Sequence, residues 1–508
     1  MIMIVAPVLF FLALLLISLY SISLDFLWGR KDITTAGSAV CGNKQLPPGS
    51  SGWPFIGETI EFYRAGLAGA PEKFFFDRFR KYSSQVFRTS LIGETVIVIG
   101  GTASGNKFLF SNEGEDKLIN AWYPPSVRKL LPVSNQFSKD QDFLKAARKA
   151  FPKFLSQEAV KTYVGTMDSM TRRHFETHWD KYMSTNEEMI TITVHPLVKN
   201  YSFQMACRLL LSMDLEQETH SIDELQKLFS VLLDGILSIP IDFPGTAFNR
   251  AIKASKLIKK QIAIMIKLRK LRLLSHENTP TRDVLSLMIM FFDENSSKFM
   301  EETFITDIIL GLIIAGHDST TSTLTMVVKY LVEFPKVYDQ VLVEQSEIAK
   351  SKATDELLNW SDIQKMKYSW NVVCEVLRLA TPAPGGFKQA MADFTYAGYH
   401  IPKGCKLYWS SMATHKNPDN FPDPEKFYPS RFEGGGPAPF TYVPFARGPG
   451  TCPGKEYARV QMLVFVHNLV RRYKLEKSFP LNPEDEEKLI FKPFPTLTGG
   501  LPIRIRAH

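Results

Sequence analysis

One cysteine near the C-terminus stands in a sequence context that suits a metal-binding thiolate. Cys452 lies in the Gly/Pro-rich segment 445–454, directly before a segment with helical apolar spacing. Inward-pointing N–H groups in such a loop, and the positive potential of the helix N-terminus, favour a thiolate over a thiol. Gly448 and Gly454 carry no Cβ, so the backbone can come close to a flat macrocycle. We therefore expect Cys452 to bind a soft metal, above all haem iron, with a structural cysteine in a turn as the alternative.

A second chemical feature lies within the long apolar segment 303–333, which is predicted to be a central, buried helix. Gly316 weakens this helix, and the hydroxyl residues that follow can compete for backbone carbonyls and bend it. Asp318 beside Ser319 at such a bend can hold water and pass protons into an apolar cavity. Oxygen activation at haem requires such proton delivery; the alternative is that the small residues only permit tight helix packing.

A third feature is a pair of opposite charges on another predicted helix. Glu375 and Arg378 are three residues apart, so their side chains face each other, and the residues around them are apolar. A buried, networked ion pair is therefore expected. Arg431, in the segment 427–432, is a candidate third partner.

Length and composition indicate one large enzyme. The chain has 508 residues, a net charge of +8 and five cysteines. The cysteines are odd in number and widely spaced, which argues against a disulfide framework or a structural zinc site and favours a reducing compartment. Lys and Arg are scattered, which favours a solvated surface over a nucleic-acid interface. The basic surface could also face anionic lipid or an acidic electron donor.

Apolar periodicity predicts a mainly α fold with small β-sheets. No alternating βαβ pattern is visible, so a doubly wound sheet is not expected. The predicted strands are 86–92, 95–99, 394–401 and 406–409. The predicted helices are 143–163, 158–180, 194–213, 223–236, 248–274, 303–333, 360–366, 368–379 and 454–473.

The N-terminus predicts a membrane anchor. Residues 1–24 contain no charge and are long enough to span a bilayer as one helix. Their uncharged start and long apolar run favour an uncleaved anchor over a secretory signal. Arg30 and Lys31 should hold the following side in the cytoplasm, so a cytosolic catalytic body on the endoplasmic reticulum membrane is expected. Residues 25–57 form a linker with a Pro-rich hinge, which leaves 58–508 as the catalytic domain.

These features occur in one order, and together they resemble the cytochrome P450 haem-thiolate monooxygenases over essentially the whole chain. The finer match resembles the plant triterpenoid oxidases such as the β-amyrin C-28 oxidases, and the taxane hydroxylases come next. The segments that carry it are 82–91, 239–246, 365–375, 414–418 and 452–459. The resemblance implies a P450 fold, haem b with an axial thiolate, an NADPH–cytochrome P450 reductase as electron donor, O2 and an apolar terpenoid substrate.

The resemblance also implies residue roles. Cys452 would be the proximal iron ligand, Asp318 and Ser319 the proton relay. The structural network behind the haem would be Glu375, Arg378 and Arg431. The haem-binding set would be Cys452, Phe445, Arg447, Arg148, Lys388 and Gly454. The substrate pocket would be lined by Ala121, Trp122, Leu312, Ala315, Ala383, Gly385, Gly386, Phe387 and Leu497.

The chain departs from the family's pattern at several positions near the haem. Gly450 stands where the resemblance implies an arginine, and Arg447 where it implies a glycine. Lys388 replaces an arginine and so lacks the guanidinium fork. Leu144 replaces a tryptophan or histidine, and Ser319 replaces a threonine. Three of the changes concern haem carboxylates, so we expect looser haem retention than in typical relatives.

Gly385 and Gly386 remove side-chain bulk before Phe387, so the substrate or the carbon oxidised is expected to differ from that of relatives. The main hypothesis is a monooxygenase acting on a triterpene C–H bond, with a taxane-type diterpenoid as the alternative substrate. A haem-thiolate isomerase or dehydratase acting on a peroxide needs no proton relay, which the Asp318–Ser319 pair argues against. A catalytically degenerate haem- or terpenoid-binding homologue is the remaining alternative.

Overall fold

The computed structural model describes residues 45–131, 151, 154–182, 189–213, 217–275, 283–294, 302–478 and 487–508, apart from gaps at 55, 84, 115–116, 237, 239 and 493. The predicted anchor at 1–24, most of the linker, Leu144 and Arg148 therefore lie outside the described residues. Within the described ranges, no helix has both the length and the apolar character needed to cross a membrane.

Helices dominate the described chain. They are α1 (Thr59–Leu67), α2 (Pro71–Lys81), α3 (Ala103–Ser111), α4 (Pro125–Leu130), α5 (Gln157–Lys161), α6 (Val164–His178), α7 (Val194–Leu211), α8 (Thr219–Ile236), α9 (Ala247–Leu274), α10 (Val284–Glu294), α11 (Glu302–Glu333), α12 (Pro335–Lys350), α13 (Trp360–Lys365), α14 (Lys367–Leu379), α15 (Ser411–His415) and α16 (Lys455–Arg472). Short 3-10 turns occur at Asp180–Tyr182, Pro429–Phe432 and Gly448–Gly450.

The strands form small sheets. They are β1 (Val86–Leu91), β2 (Glu94–Ile99), β3 (Ile119–Ala121), β4 (Ile190–Thr193), β5 (Gly386–Ala390), β6 (Phe394–Tyr396), β7 (Tyr399–Ile401), β8 (Lys406–Trp409), β9 (Tyr473–Lys477), β10 (Leu489–Phe491), β11 (Pro495–Leu497) and β12 (Pro502–Ala507). The largest sheet has the order β1-β2-β8-β5-β3, in which β2 and β8 run parallel and the other pairs antiparallel. Another has the order β4-β12-β9, and β6-β7 and β10-β11 are hairpins.

The prediction of a mainly α fold with small sheets is confirmed, with two local corrections. The helix predicted at 158–180 divides into α5 and α6, because the N–H groups of Thr162 and Tyr163 bond to carbonyls three residues back and tighten the chain into a turn. The strand predicted at 394–401 divides into β6 and β7. Its centre turns at Ala397 and Gly398, whose φ angles are 50° and 82°.

The central helix α11 forms as predicted and organises the core. Most of its length is buried, and it packs against α7, α9 and α14. Its hydroxyl side chains do not interrupt it, because they donate to carbonyls four residues back: Ser319 Oγ to Ala315 O at 2.5 Å, and Thr321 Oγ1 to His317 O at 2.9 Å. The helix therefore carries hydroxyls through its buried middle with their protons satisfied.

A fully buried ion pair ties α14 to the loops around it. Glu375 accepts hydrogen bonds from Arg378 Nε at 2.7 Å and Nη2 at 2.8 Å, and neither side chain is exposed. Glu375 also accepts from the Tyr428 N–H at 2.9 Å and from Arg431 Nε at 3.3 Å. The predicted trio of Glu375, Arg378 and Arg431 thus meets around one carboxylate.

The remaining N–H groups of Arg378 donate to backbone carbonyls. Its Nη1 donates to His415 O at 3.0 Å and to Pro424 O at 2.7 Å, and its Nη2 donates to Lys426 O at 3.1 Å. The His415 ring in turn accepts the Val443 N–H at 2.9 Å. Burial lowers the pKa of His415 to about 3, so this ring stays neutral and free to accept. The ion pair is therefore connected to the segment that leads into Cys452.

Glu375→Gln should lower the free energy of unfolding by about 3 kcal/mol, because it leaves Arg378 as a buried charge without its counter-ion. Urea unfolding followed by circular dichroism measures this. The matched control is Glu333→Gln, which breaks an i,i+4 pair with Lys329 at the helix surface and should cost no more than about 0.5 kcal/mol. Equal costs for the two variants would show that the buried pair does not hold these loops.

Candidate active site

A cavity of about 310 Å3 lies between the middle of α11, the loop that carries Cys452 and the start of α16. Apolar and small residues form nearly all of its wall, and none of the described residues that line it is charged. The lining residues are Leu155, Ala206, Leu210, Leu312, Ala315, Gly316, Ser319, Thr320, Thr323, Leu377, Pro382, Ala383, Trp409, Pro444, Phe445, Ala446, Gly450, Cys452, Pro453, Gly454, Tyr457, Ala458 and Met462.

The Cys452 loop is held by its own backbone. The Cys452 N–H donates to Phe445 O at 2.8 Å and closes the loop. Ala446 stands in the left-handed region at φ 53°, a strained conformation for a residue with a Cβ. Helix α16 then begins, with the Ala458 N–H donating to Gly454 O at 2.9 Å. This arrangement leaves the Cys452 side chain exposed to the cavity.

Opposing effects act on the pKa of the Cys452 thiol in the protein alone. Burial raises the pKa of Cys452, and this effect outweighs the Gly454 N–H hydrogen bond and the positive charge of Lys455, which lower it. A thiolate at this position is therefore stabilised by the metal it binds, since a coordinating thiol is deprotonated outright.

Gly448 and Gly454 differ in what a Cβ at each position would meet. Gly448 has φ 67°, and a Cβ there would lie 2.5 Å from Phe110 O, so it lets α3 pack against the loop. At Gly454, a Cβ would meet only Cys452 Sγ at 3.9 Å, an ordinary contact. The close approach at Gly448 is thus to the protein's own backbone, whereas the room that Gly454 leaves for a macrocycle stays a prediction.

The predicted proton-relay residues lie at different depths. Ser319 lines the cavity, whereas Asp318 does not. Asp318 Oδ2 is 3.1 Å from Nδ1 of the fully buried His317, without hydrogen-bond geometry. The Ser319 hydroxyl donates to Ala315 O, which leaves its oxygen free to accept a proton donor from the cavity side. A hydroxyl at the wall that follows an acid in the chain can take part in a proton relay.

The predicted carboxylate-binding cations are not at the wall. Arg447 is exposed, with its guanidinium 5.7 Å from the Phe440 ring centroid. Lys388 is buried and pairs with Glu113, the Nζ–Oε2 distance being 2.6 Å. Burial lowers the pKa of Lys388, against the raising effect of Glu113. The remaining cation of the predicted set, Arg148, lies outside the described residues.

Side chains of the neighbouring strand occupy the space beside Gly385 and Gly386. A Cβ on Gly386 would lie 2.8 Å from Trp409 Nε1, and a Cβ on Gly385 would lie 2.5 Å from the Tyr408 hydroxyl oxygen. Because Trp409 itself lines the cavity, the missing side chains are replaced by an indole ring. The indole of Trp409 thus takes the space beside Gly386, and the expected effect of the two glycines on the substrate or the carbon oxidised stays a prediction.

Three of the predicted pocket residues, Leu312, Ala315 and Ala383, line the cavity. The Trp122 and Phe387 rings contact each other at 5.5 Å outside that wall, and Ala121 pairs with Lys388 in the sheet. Leu497 is buried in the core beside α11, since the Ser322 hydroxyl donates to Pro495 O at 2.6 Å. Two further predicted pocket positions are the glycines packed against Tyr408 and Trp409.

Sequence reasoning missed several wall residues, notably Trp409, Tyr457 and Thr320. Trp409 ends a predicted strand, so alternation along that strand could have suggested which face it takes. Tyr457 lies in the first turn of α16, which follows Cys452 in the chain. Its buried hydroxyl has no hydrogen-bond partner among the described residues. Nothing in the sequence marks Glu113, which reaches the loop only through the fold.

The fold and the cavity define the class: a helical protein that presents one cysteine sulfur to an apolar cavity beneath a helix carrying an acid and an alcohol is a haem-thiolate protein. The cytochrome P450 family model matches residues 47–498, so the chain belongs to the cytochrome P450 family. It is accordingly a monooxygenase that uses haem with a cysteine thiolate and receives electrons through a reductase.

Curated relatives and a solved structure agree with this. The chain is 50% identical to a beta-amyrin 28-monooxygenase of Medicago truncatula, covering 98% of this chain and 99% of the relative. It is 52% identical to a beta-amyrin 28-monooxygenase of Solanum lycopersicum, covering 91% and 93%. Retinoic acid-bound cyanobacterial CYP120A1 superposes with a TM-score of 0.77 at 28% identity, covering 92% of this chain and 100% of that one. The resemblance to plant triterpenoid oxidases is confirmed.

The residues at the cavity fit a haem group. A thiol faces an apolar space, and on the opposite wall a Cβ on Gly316 would meet nothing within 4 Å. The short side chains of Ala315, Ala446 and Ala458 leave space between the two walls of the cavity. The buried Tyr457 hydroxyl has no hydrogen-bond partner among the described residues, so the protein alone does not satisfy this polar group.

Cys452→Ser should abolish the red-shifted Soret band of the reduced carbon monoxide complex, because a serine oxygen does not replace the thiolate. Difference spectra of membranes containing the full chain, with haem quantified separately, measure this. Cys405→Ser is the matched control, since that partly buried cysteine lies outside the cavity and should leave the band intact. If the band survives in Cys452→Ser, another residue is the ligand.

Proposed function

We propose that this protein oxidises a pentacyclic triterpene of the β-amyrin type at C-28. The observation that carries this proposal is the near-full-length identity of about half to two beta-amyrin 28-monooxygenases. The apolar cavity supports it, because a hydrocarbon skeleton needs a wall without charge. A taxane-type diterpenoid is the second candidate, and no described contact favours it.

Cys452 would hold the iron through its sulfur, and Phe445, whose carbonyl closes the loop, would pack beside it. When bound, the haem supplies the oxygen-activating chemistry by which one atom of O2 enters a C–H bond while two electrons arrive from the reductase. The protein's own contribution is to exclude water, place the C–H bond and deliver protons. Ser319 Oγ would pass a proton into the cavity, and the Asp318 carboxyl group, after taking up a proton from solvent, would resupply that hydroxyl.

The triterpene would lie between α11 and the wall formed by Trp409 and Ala383. Trp409 takes the space beside Gly386, so it offers a flat apolar face where the resemblance implied side chains at 385 and 386. Leu210 and Leu312 complete the apolar surroundings from α7 and α11. The hydrophobic contact would fix the skeleton, and the methyl or methylene group that it presents to the haem would set which carbon reacts.

We further propose that the uncharged segment 1–24 anchors the protein in the endoplasmic reticulum membrane, with residues 25–57 as its linker and the body in the cytosol. Apolar side chains remain exposed on the first described segment, including Trp53, Ile56 and Ile60, which supports a nearby lipid surface. The donor would be a membrane-bound NADPH–cytochrome P450 reductase, drawn by the net positive charge.

The decisive experiment uses microsomes containing the full chain and a plant NADPH–cytochrome P450 reductase, supplied with β-amyrin and NADPH. We expect products oxidised at C-28, identified by mass spectrometry and nuclear magnetic resonance. A taxadiene incubation runs in parallel. Oxidation of taxadiene alone would replace the proposed substrate class, and a haem-loaded protein that consumes no NADPH with either substrate would overturn the proposed activity.

Ser319→Ala should reduce product formed per NADPH consumed by at least about tenfold, because the cavity loses its proton-donating hydroxyl. Ser319→Thr keeps the hydroxyl and should retain coupling. Thr321→Ala is the control, because it removes the same kind of back-bond to α11 at a buried position outside the cavity. If Ser319→Ala and Thr321→Ala behave alike, Ser319 acts through helix structure and not through proton delivery.

A further inference from the structure

A buried ion pair touches the wall of the cavity from behind. Glu113 follows α3 and Lys388 lies on β5, and each side chain is only 7% exposed. The same carboxylate oxygen, Glu113 Oε2, lies 2.6 Å from Lys388 Nζ and 2.6 Å from where a Cβ on Gly450 would stand. Gly450 is a wall residue of the cavity that holds Cys452. One carboxylate therefore stands between the lysine and the cavity.

The packing fixes this arrangement. Phe110 O lies 2.5 Å from the Cβ position of Gly448, which holds the end of α3 against the cysteine loop, and the Phe110 ring lies 5.4 Å below Lys388 Nζ. Lys388 is anchored by its strand, paired with Ala121 on one side and Leu407 on the other. Neither charge can move far without disturbing the sheet or the loop.

Haem carries two carboxylates, and burying a carboxylate without a cation is costly. Among the described residues of the cavity wall none is charged, and the exposed Arg447 does not line it. Lys388 is a buried cation that lies across the Glu113 carboxylate from Gly450. Its ammonium lies 2.6 Å from Glu113 Oε2 without hydrogen-bond geometry, and that carboxylate is the negative charge nearest to the Gly450 position.

We propose that Glu113 is an internal competitor of the haem carboxylates: it occupies Lys388 from the space that Gly450 leaves open, and so weakens haem retention. This inference rests on the proposed haem site at Cys452. Removing the negative charge of Glu113 leaves the positive charge of Lys388 unbalanced, so a haem carboxylate near Gly450 is attracted and no longer repelled. The protein without haem should lose stability, and the protein with haem should hold the group more tightly.

The test is Glu113→Gln in the full chain, with haem transfer to excess apomyoglobin as the readout. We expect transfer about tenfold slower than in the unaltered protein, the order of effect of one like charge several ångströms away in a partly buried site. Glu72→Gln is the matched control, because Glu72 is also a buried acid paired with a lysine, Lys416, and does not line the cavity. Its transfer rate should be unchanged.

Lys388→Gln provides the opposite arm, since it removes the cation and keeps Glu113; haem transfer should accelerate. Circular dichroism of every variant shows whether it folds. Unchanged or faster transfer from folded Glu113→Gln overturns the inference, and slower transfer from Glu72→Gln as well would show a general stability effect and overturn it too. If the unaltered protein binds no haem, the proposed function fails, and that result is separate from any ranking of the variants.

Discussion

The buried pair of Glu375 and Arg378 is the interaction on which the rest of the site depends. Both side chains are fully inaccessible, and every donor of the guanidinium that faces protein is used, on one carboxylate and three backbone carbonyls. A buried pair that is only partly satisfied would be destabilising. Here all hydrogen-bond donors of the guanidinium are satisfied. The pair therefore holds α14, the segment around Pro424 and the turn at Tyr428 in one relative position.

That constraint reaches the cysteine through a neutral histidine. His415 gives its carbonyl to Arg378 and its ring nitrogen to the Val443 N–H. Because burial keeps the pKa of this ring near 3, the hydrogen bond does not switch with physiological pH. The loop then closes on itself through Cys452 N–H and Phe445 O. The sulfur position is therefore set by a chain of satisfied polar contacts that lies outside the apolar cavity.

Around the cavity, charge is kept one layer back. The described wall residues are uncharged, while Asp318 lies off the wall beside His317, and Glu113 lies behind Gly450. A hydrocarbon substrate needs such a wall, yet protons and the carboxylates of haem both need charged partners. The protein meets both needs by keeping charged groups one residue behind the cavity wall. At Gly450, which has no side chain, the distance between the wall and a charged group is smallest.

The sequence by itself determined the central helix, the cysteine loop, the ion pair and the family, because these depend on local periodicity and on residue types at short spacing. The strand break at Ala397 and the break between α5 and α6 depend on single turns, which periodicity does not resolve. Only the tertiary structure decided that Trp409 fills the space beside Gly386 and that Glu113 takes Lys388. Residues 113 and 388 are far apart in the chain, and their meeting is fixed by the register of β3, β5 and β8. The pKa of Cys452 was likewise decided there, since burial is a property of the packed protein and not of the loop's sequence.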